Sequence, residues 1–276
     1  MNPTLTLMQK EIRDGLRNRW VLAVAILLAM LALSLGFLGS APTGTVKVDP
    51  LTVTVVSLSS LSIFLVPLIA MLLSYDAIVG EVDRGTMNLL LSYPISRRQV
   101  MAGKFCGHLV ILALAIGAGY GAAGLALQLA FGGIDPGAWG PFALLIAASI
   151  LLGAAFLSLG YLISALVQER PTAAGIAIGI WLFLVVIYDM ALLGILVVDQ
   201  GRVITAPLLN TILLFNPTDV YRLLNLTGHE NIAMFAGMAG LSEQTSLSTT
   251  TLLAAQLLWI AIPFGLASWA FGRRAL

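Results

Sequence analysis

Groups able to do chemistry are sparse in this chain of 276 residues, which has two histidines and one cysteine. His108 and His229 stand far apart, and neither belongs to a His-Glu-x-x-His pair. A phosphate-cradling Gly-x-x-x-x-Gly-Lys-Ser/Thr loop and a Gly-x-Ser-x-Gly nucleophile elbow are also missing. No catalytic residue is assigned. The chain is expected to be no enzyme, to bind no cofactor of its own, and to draw any work it performs from a partner.

Two smaller constellations remain. An ionisable residue inside an apolar run is a functional candidate by default, and Asp189, with Tyr188 beside it, is one. It reads as a hydrogen-bonded packing or gating residue. His229, Met234 and Met238 offer imidazole and thioether groups of the kind that suit Cu(I). Methionines four apart fill an apolar helix face just as readily, so packing stands beside metal binding as a reading of that pair.

The elements that must position these residues follow from composition. Hydrophobic residues make up 59% of the chain and charged residues 10%, with a mean hydropathy of +0.99, where a soluble domain carries about 25% charge. No soluble globule has enough interior for that much apolar surface. The apolar residues fall into runs long enough to cross a bilayer, at 20–39, 53–75, 105–131, 142–167, 172–198 and 251–271. They show no period-two alternation, so barrel strands are disfavoured. The expected fold is one all-α integral membrane domain over 1–276, with six transmembrane helices.

Lys and Arg beside a span stay on the cytoplasmic side during insertion. With the N-terminus inside, the inner segments hold Lys10, Arg13, Arg17, Arg19, Arg84, Arg97, Arg98, Lys104, Arg170, Arg273 and Arg274, and the outer ones only Lys47, Arg202 and Arg222. Both termini are therefore expected in the cytoplasm, and the basic excess requires no nucleic-acid partner. A cleaved signal peptide is the competing reading of the first span. The long leader carrying Glu11 and Asp14, and Pro42 just after the small residues, argue against it. Cys106, being alone, excludes an internal disulfide.

Within 1–19, Leu5, Met8, Ile12 and Leu16 recur at helical spacing opposite a charged side, which predicts an amphipathic helix lying on the membrane lipid. The 76–104 loop reads as two short helices: one over 81–91 that ends at Tyr93-Pro94, and a second capped by Ser96 that carries Arg97, Arg98 and Val100. The turn with Glu169 and Arg170 offers a smaller contact on the same side. The 199–250 segment is too long for a plain connector. An apolar stretch over 203–215, broken by Asn216-Pro217-Thr218-Asp219, reads there as a re-entrant or interfacial helical hairpin, with one more small helix over 229–241. Gly117/Gly121 and Gly175/Gly179 are spaced for close helix packing.

The run Glu81-Val-Asp-Arg-Gly-Thr-Met-Asn-Leu-Leu-Leu-Ser-Tyr-Pro-Ile-Ser-Arg-Arg, followed by Gly103-Lys104, resembles the cytoplasmic loop of ABC-2-type permeases. The topology resembles them over the whole chain. The resemblance implies a homodimer over a cytoplasmic ABC ATPase dimer that holds ATP and Mg, with Glu81, Arg84, Gly85, Thr86, Pro94 and Arg97 meeting the ATPase. A closer likeness, which includes Leu-Phe-Asn-Pro-Thr-Asp-Val-Tyr-Arg-Leu-Leu at 214–224, is to the inner-membrane permeases of copper-maturation systems for nitrous-oxide reductase in denitrifying bacteria. It implies a periplasmic right-handed β-helix partner met by Asn216, Pro217, Asp219, Tyr221 and Arg222, and copper as a metal of the pathway. Polar groups in the spans are few, Gln128 and Gln256 being the clearest, which favours transmission of force over passage of a large polar solute. An exporter of a drug-like or lipid molecule, and a membrane scaffold without an ATPase, are the alternatives.

Overall fold

Apolar runs in a bilayer satisfy their backbone groups only as helices or closed barrels, and this chain takes the helical solution. A computed structural model describes residues 3–17, 19–39, 50–132, 135–199, 205–226 and 247–274, and no strand occurs among them. Among the described residues five helices are long and apolar enough to cross a membrane, or six if the bent N-terminal pair is one span.

Helix α1 (Pro3–Arg17) and α2 (Trp20–Gly39) are inclined by 63° to each other. Leu7 and Glu11 of α1 are buried, while Leu5 and Leu16 stay about half exposed on the side left for lipid. The helix lies against α6 (Arg97–Phe131) where two glycines one turn apart leave room. A Cβ on Gly103 would come within 2.9 Å of the Thr4 carbonyl oxygen, and one on Gly107 within 2.6 Å of Glu11 Cβ. The glycines singled out by spacing behave differently: nothing stands within 4 Å of a Cβ at Gly117, Gly121, Gly175 or Gly179. Close approach happens near the start of α6 because α1 must reach the charged residues there.

Span α3 (Pro50–Ser74) leads into two single-turn helices, α4 (Val79–Asp83) and α5 (Thr86–Leu91), separated by Gly85 at φ +70. That left-handed geometry favours glycine. The expected second loop helix does not exist as a separate element. Ser96 caps α6 itself: its Oγ accepts from Gln99 N at 3.3 Å while its own N–H donates to Gln99 Oε1 at 2.9 Å. From that cap α6 runs unbroken for 35 residues, about 52 Å. The reason is that Arg97 to Lys104 contains no residue able to stop a helix already started.

Span α7 (Trp139–Leu166) is the most enclosed, with 61% of its apolar window buried. The fifth span is α8 (Arg170–Leu182), a wide π turn over Phe183–Ile187, and α9 (Tyr188–Asp199). It is the least enclosed, at 11%. Helices α10 (Ala206–Leu214) and α11 (Pro217–Leu226) form the hairpin expected from the sequence, and α12 (Thr249–Arg273) is the last span. The starts of α6 and α8 and the ends of α3, α7 and α12 share one end of the bundle, the end that collects the cations. His229, Met234, Met238 and the expected 229–241 helix lie outside the described residues.

Candidate coupling site and outer hairpin

At the basic end, Lys104 and His108 stand four apart on one face of α6, at the head of its apolar run. The Lys104 ammonium lies 2.9 Å from Glu11 Oε1 of α1 and 2.7 Å from Glu81 Oε1 of α4, and its side chain is 4% exposed. His108 Nε2 is 3.6 Å from Glu11 Oε2, and His108 Nδ1 shares a 2.8 Å hydrogen bond with the Tyr161 hydroxyl of α7. One lysine and one imidazole thus join α1, α4, α6 and α7. Burial raises the pKa of the Glu11 carboxyl, but the His108 hydrogen bond and the Lys104 charge outweigh it and hold the group well below its usual range. Beside the network opens a cleft of about 350 Å³ with both signs of charge on its walls, among them Lys10, Asp14, Asp76, Glu81 and Arg84.

The loop after α3 is fastened at both flanks. The backbone N–H groups of Ile78 and Val79, which begin α4, donate to Ser164 Oγ of α7 at 2.9 and 3.0 Å. Asp76 pairs with Arg170 at 3.0 Å, which ties this loop to the start of α8. On the far flank Arg97 donates to the carbonyls of Phe271 at 2.9 Å and Arg274 at 2.6 Å, closing the end of α12. Arg274 in turn donates to Ser164 O at 3.0 Å. Between these anchors Arg84, Gly85, Thr86 and Pro94 are exposed, with the Thr86 hydroxyl steadying the turn on Glu81 O at 3.1 Å.

The residues carried over as ATPase contacts therefore divide. Arg84, Gly85, Thr86, Pro94 and Glu169 face outward. Glu81, Arg97 and Arg170 point into the chain, because each is half-buried and already holds a partner there. Sequence reasoning missed Glu11, Lys104, His108 and Tyr161. The available signal was a Lys and a His at i, i+4 opening an apolar span, a face that needs a counter-charge.

At the other end of the bundle the hairpin's turn is held by side chains from two spans. Carbonyls at the end of a helix lack intrahelical donors. Here the Tyr188 hydroxyl donates to Ile212 O at 2.7 Å and the Trp259 indole to Leu214 O at 3.1 Å. Asn216 Oδ1 accepts from Thr218 N at 3.1 Å at the start of α11, and its amide donates to Leu184 O at 2.9 Å, within the π turn of span five. Tyr221 places its hydroxyl 3.1 Å from Ser149 Oγ of α7.

Arg222 joins two acids: one guanidinium nitrogen donates to Asp219 Oδ1 at 2.6 Å and the other to Asp189 Oδ2. Asn216, Pro217, Asp219 and Tyr221, expected to touch an outside partner, are instead buried within this chain, and Arg222 is largely drawn in. Asn216 caps the start of α11 and holds a carbonyl of span five, and Asp219 pairs with Arg222, which is why they turn inward. Gln256 is fully buried on α12 while Gln128 is half-buried.

Helices crossing a bilayer, a fastened loop at the basic end and a hairpin tucked between the last two spans define a multi-pass membrane transporter subunit. The chain matches the ABC-2 family transporter protein model over residues 5–276 and belongs to that family. It is 43% identical over 278 residues, 99% of each chain, to the probable ABC transporter permease protein NosY of Stutzerimonas stutzeri. It is 44% identical over 275 residues, 98% of each chain, to the protein of the same description in Pseudomonas aeruginosa. Membership among the ABC permeases implies an ATPase partner.

Proposed function

We propose that this chain is the membrane subunit through which a cytoplasmic ABC ATPase dimer drives assembly of the copper sites of nitrous-oxide reductase. Two copies form a homodimer in the bacterial inner membrane, with the basic end in the cytoplasm and the 199–250 segment outside, against a periplasmic β-helix maturation protein. The observation that carries this reading is the exposed α4–α5 turn, fastened through Lys104, Ser164 and Asp76 to α6, α7 and α8. A push on Arg84 to Thr86 reaches the bundle as a whole.

Other features support it. Eleven of fourteen cations flank the end assigned to the cytoplasm. Span five leaves Ile178, Phe183, Ile187 and Met190 uncovered, an apolar face suited to a second copy. The NosY description of the relatives agrees with the copper-maturation reading. The hairpin, held to spans five and six, is the element that would hand movement to the periplasmic partner.

Co-expression with an ABC ATPase and a periplasmic β-helix protein from the same organism is the test. Both partners should purify with it in fixed ratio, and an Arg84→Glu variant should lose the ATPase while staying folded. Stable purification without any ATPase would leave only the scaffold. Capture of the ATPase alone, with its turnover stimulated by drug-like or lipid compounds, would favour the exporter.

A further inference from the structure

The Asp189–Arg222–Asp219 cluster carries one more negative charge than it can balance. Asp219 is fully buried, and the side chains of Asp189 and Arg222 are 20% and 24% exposed. Because the two carboxylates bind adjacent nitrogens of one guanidinium, they are brought against each other. Neither Asp189 Oδ1 nor Asp219 Oδ2 has a hydrogen-bond partner among the described residues. Two unpaired carboxylate oxygens in an apolar, low-dielectric setting are costly, and two carboxylates sharing a site do not both ionise readily.

Among the described residues the surroundings supply no second cation. The Tyr188 hydroxyl donates to Ile212 O, and the Asn216 amide, which donates one N–H to Leu184 O, is neutral and cannot balance a second carboxylate. Tyr221 faces Ser149. Helices α3 and α10 carry no ionisable side chain; α7 carries only Tyr161, and α12 only Arg273 at the opposite end of the molecule.

We propose that Asp189 and Asp219 hold a single exchangeable proton between them, making the hairpin a proton-binding site. A proton taken from water turns one carboxylate into an O–H donor whose partner is the free oxygen of the other, and the cluster becomes neutral. Its return to water leaves two anions on one guanidinium, and their repulsion acts between α9 and α11. The hairpin's seat on span five thereby depends on pH. The site rests on the hairpin geometry alone and stands whether or not copper maturation is the task.

Infrared spectroscopy of the whole protein in lipid reads the proton directly. At neutral pH the wild-type protein should show the C=O stretch of a protonated carboxylic acid, and the band should fade as the pH is raised. Asp219→Asn and Asp189→Asn should each abolish the band entirely, since the remaining carboxylate is then balanced by Arg222. Asp135→Asn, distant in sequence at the start of the turn before α7, should leave it unchanged. A wild-type spectrum without the band at neutral pH, with no variant needed, overturns the proposal; so does a band that survives in both single variants.

Discussion

Lys104 and Glu81 meet in a 2.7 Å ion pair whose side chains are 4% and 14% exposed, so a single residue near the start of a span holds the short loop helix in place. Lys104→Met takes from Glu81 its ion-pair partner and leaves Glu11 only Lys10 at 3.2 Å and His108, a buried pair broken at a cost of about 3–5 kcal/mol. Thermal unfolding in detergent should show the loss, and adding Glu81→Gln should recover part of it. A Lys104→Met protein as stable as the parent would mean that the lysine ties nothing together.

Arg97 and Arg84 should separate cleanly. Arg97→Glu removes the donors that close the end of α12, charge-assisted bonds each contributing about 1.5–3 kcal/mol. Its first effect should be a lower unfolding temperature. Arg84→Glu, on an exposed turn, should leave that temperature unchanged and cut ATPase co-purification roughly tenfold, a loss of about 1.4 kcal/mol. The reverse pattern would place the docking surface at Arg97.

The Glu11 carboxyl titrates below its ordinary value of 4.5 in the folded protein. A depressed carboxylate contributes stability that is fully present above the unfolded value and is lost as the pH falls through the folded one. Wild type should therefore be more stable than Glu11→Gln at neutral pH, and the two should converge as the pH drops below about 4.5, the group's ordinary value. Denaturation curves at several pH values check this. A gap that stayed constant down to strong acid would refute the ionic role of Glu11.

Tyr188→Phe and Trp259→Phe each remove one side-chain hydrogen bond from the hairpin turn, a penalty of about 0.5–1.5 kcal/mol. Because both donors serve the same turn, the double variant should loosen it more than either single one. With Cys106 replaced by Ser, a Phe215→Cys probe at the tip should react faster with a membrane-permeable thiol reagent in both single variants. Unchanged rates would show that the turn holds without them.

Helix number and kind were legible because a 59% hydrophobic chain has few other solutions. The break between α10 and α11 was legible from Asn216-Pro217-Thr218-Asp219, a run of turn and helix-start residues. What escaped was pairing. Glu11 reads as one charge on the polar side of α1, and only its approach to Gly107 reveals that it faces inward. Arg97 reads as a surface cation until the end of α12 arrives beside it from the other end of the sequence. Asp219 and Arg222, three apart on α11, look like a solvated pair, and Asp189 on a different span is what makes them a closed cluster. Such partners are far apart along the chain, and periodicity carries no information about them.

The π turn over Phe183–Ile187 sets the phase of everything beyond it in span five. One residue more than a regular α turn rotates the outer half by about 100° relative to an unbroken helix. That rotation aims Asp189 at Arg222 and frees Leu184 O for Asn216. Were the extra residue absorbed, Asp189 would swing about a quarter turn or more around the axis and release the hairpin, so the span behaves as a combination lock with its wards cut by a single wide turn.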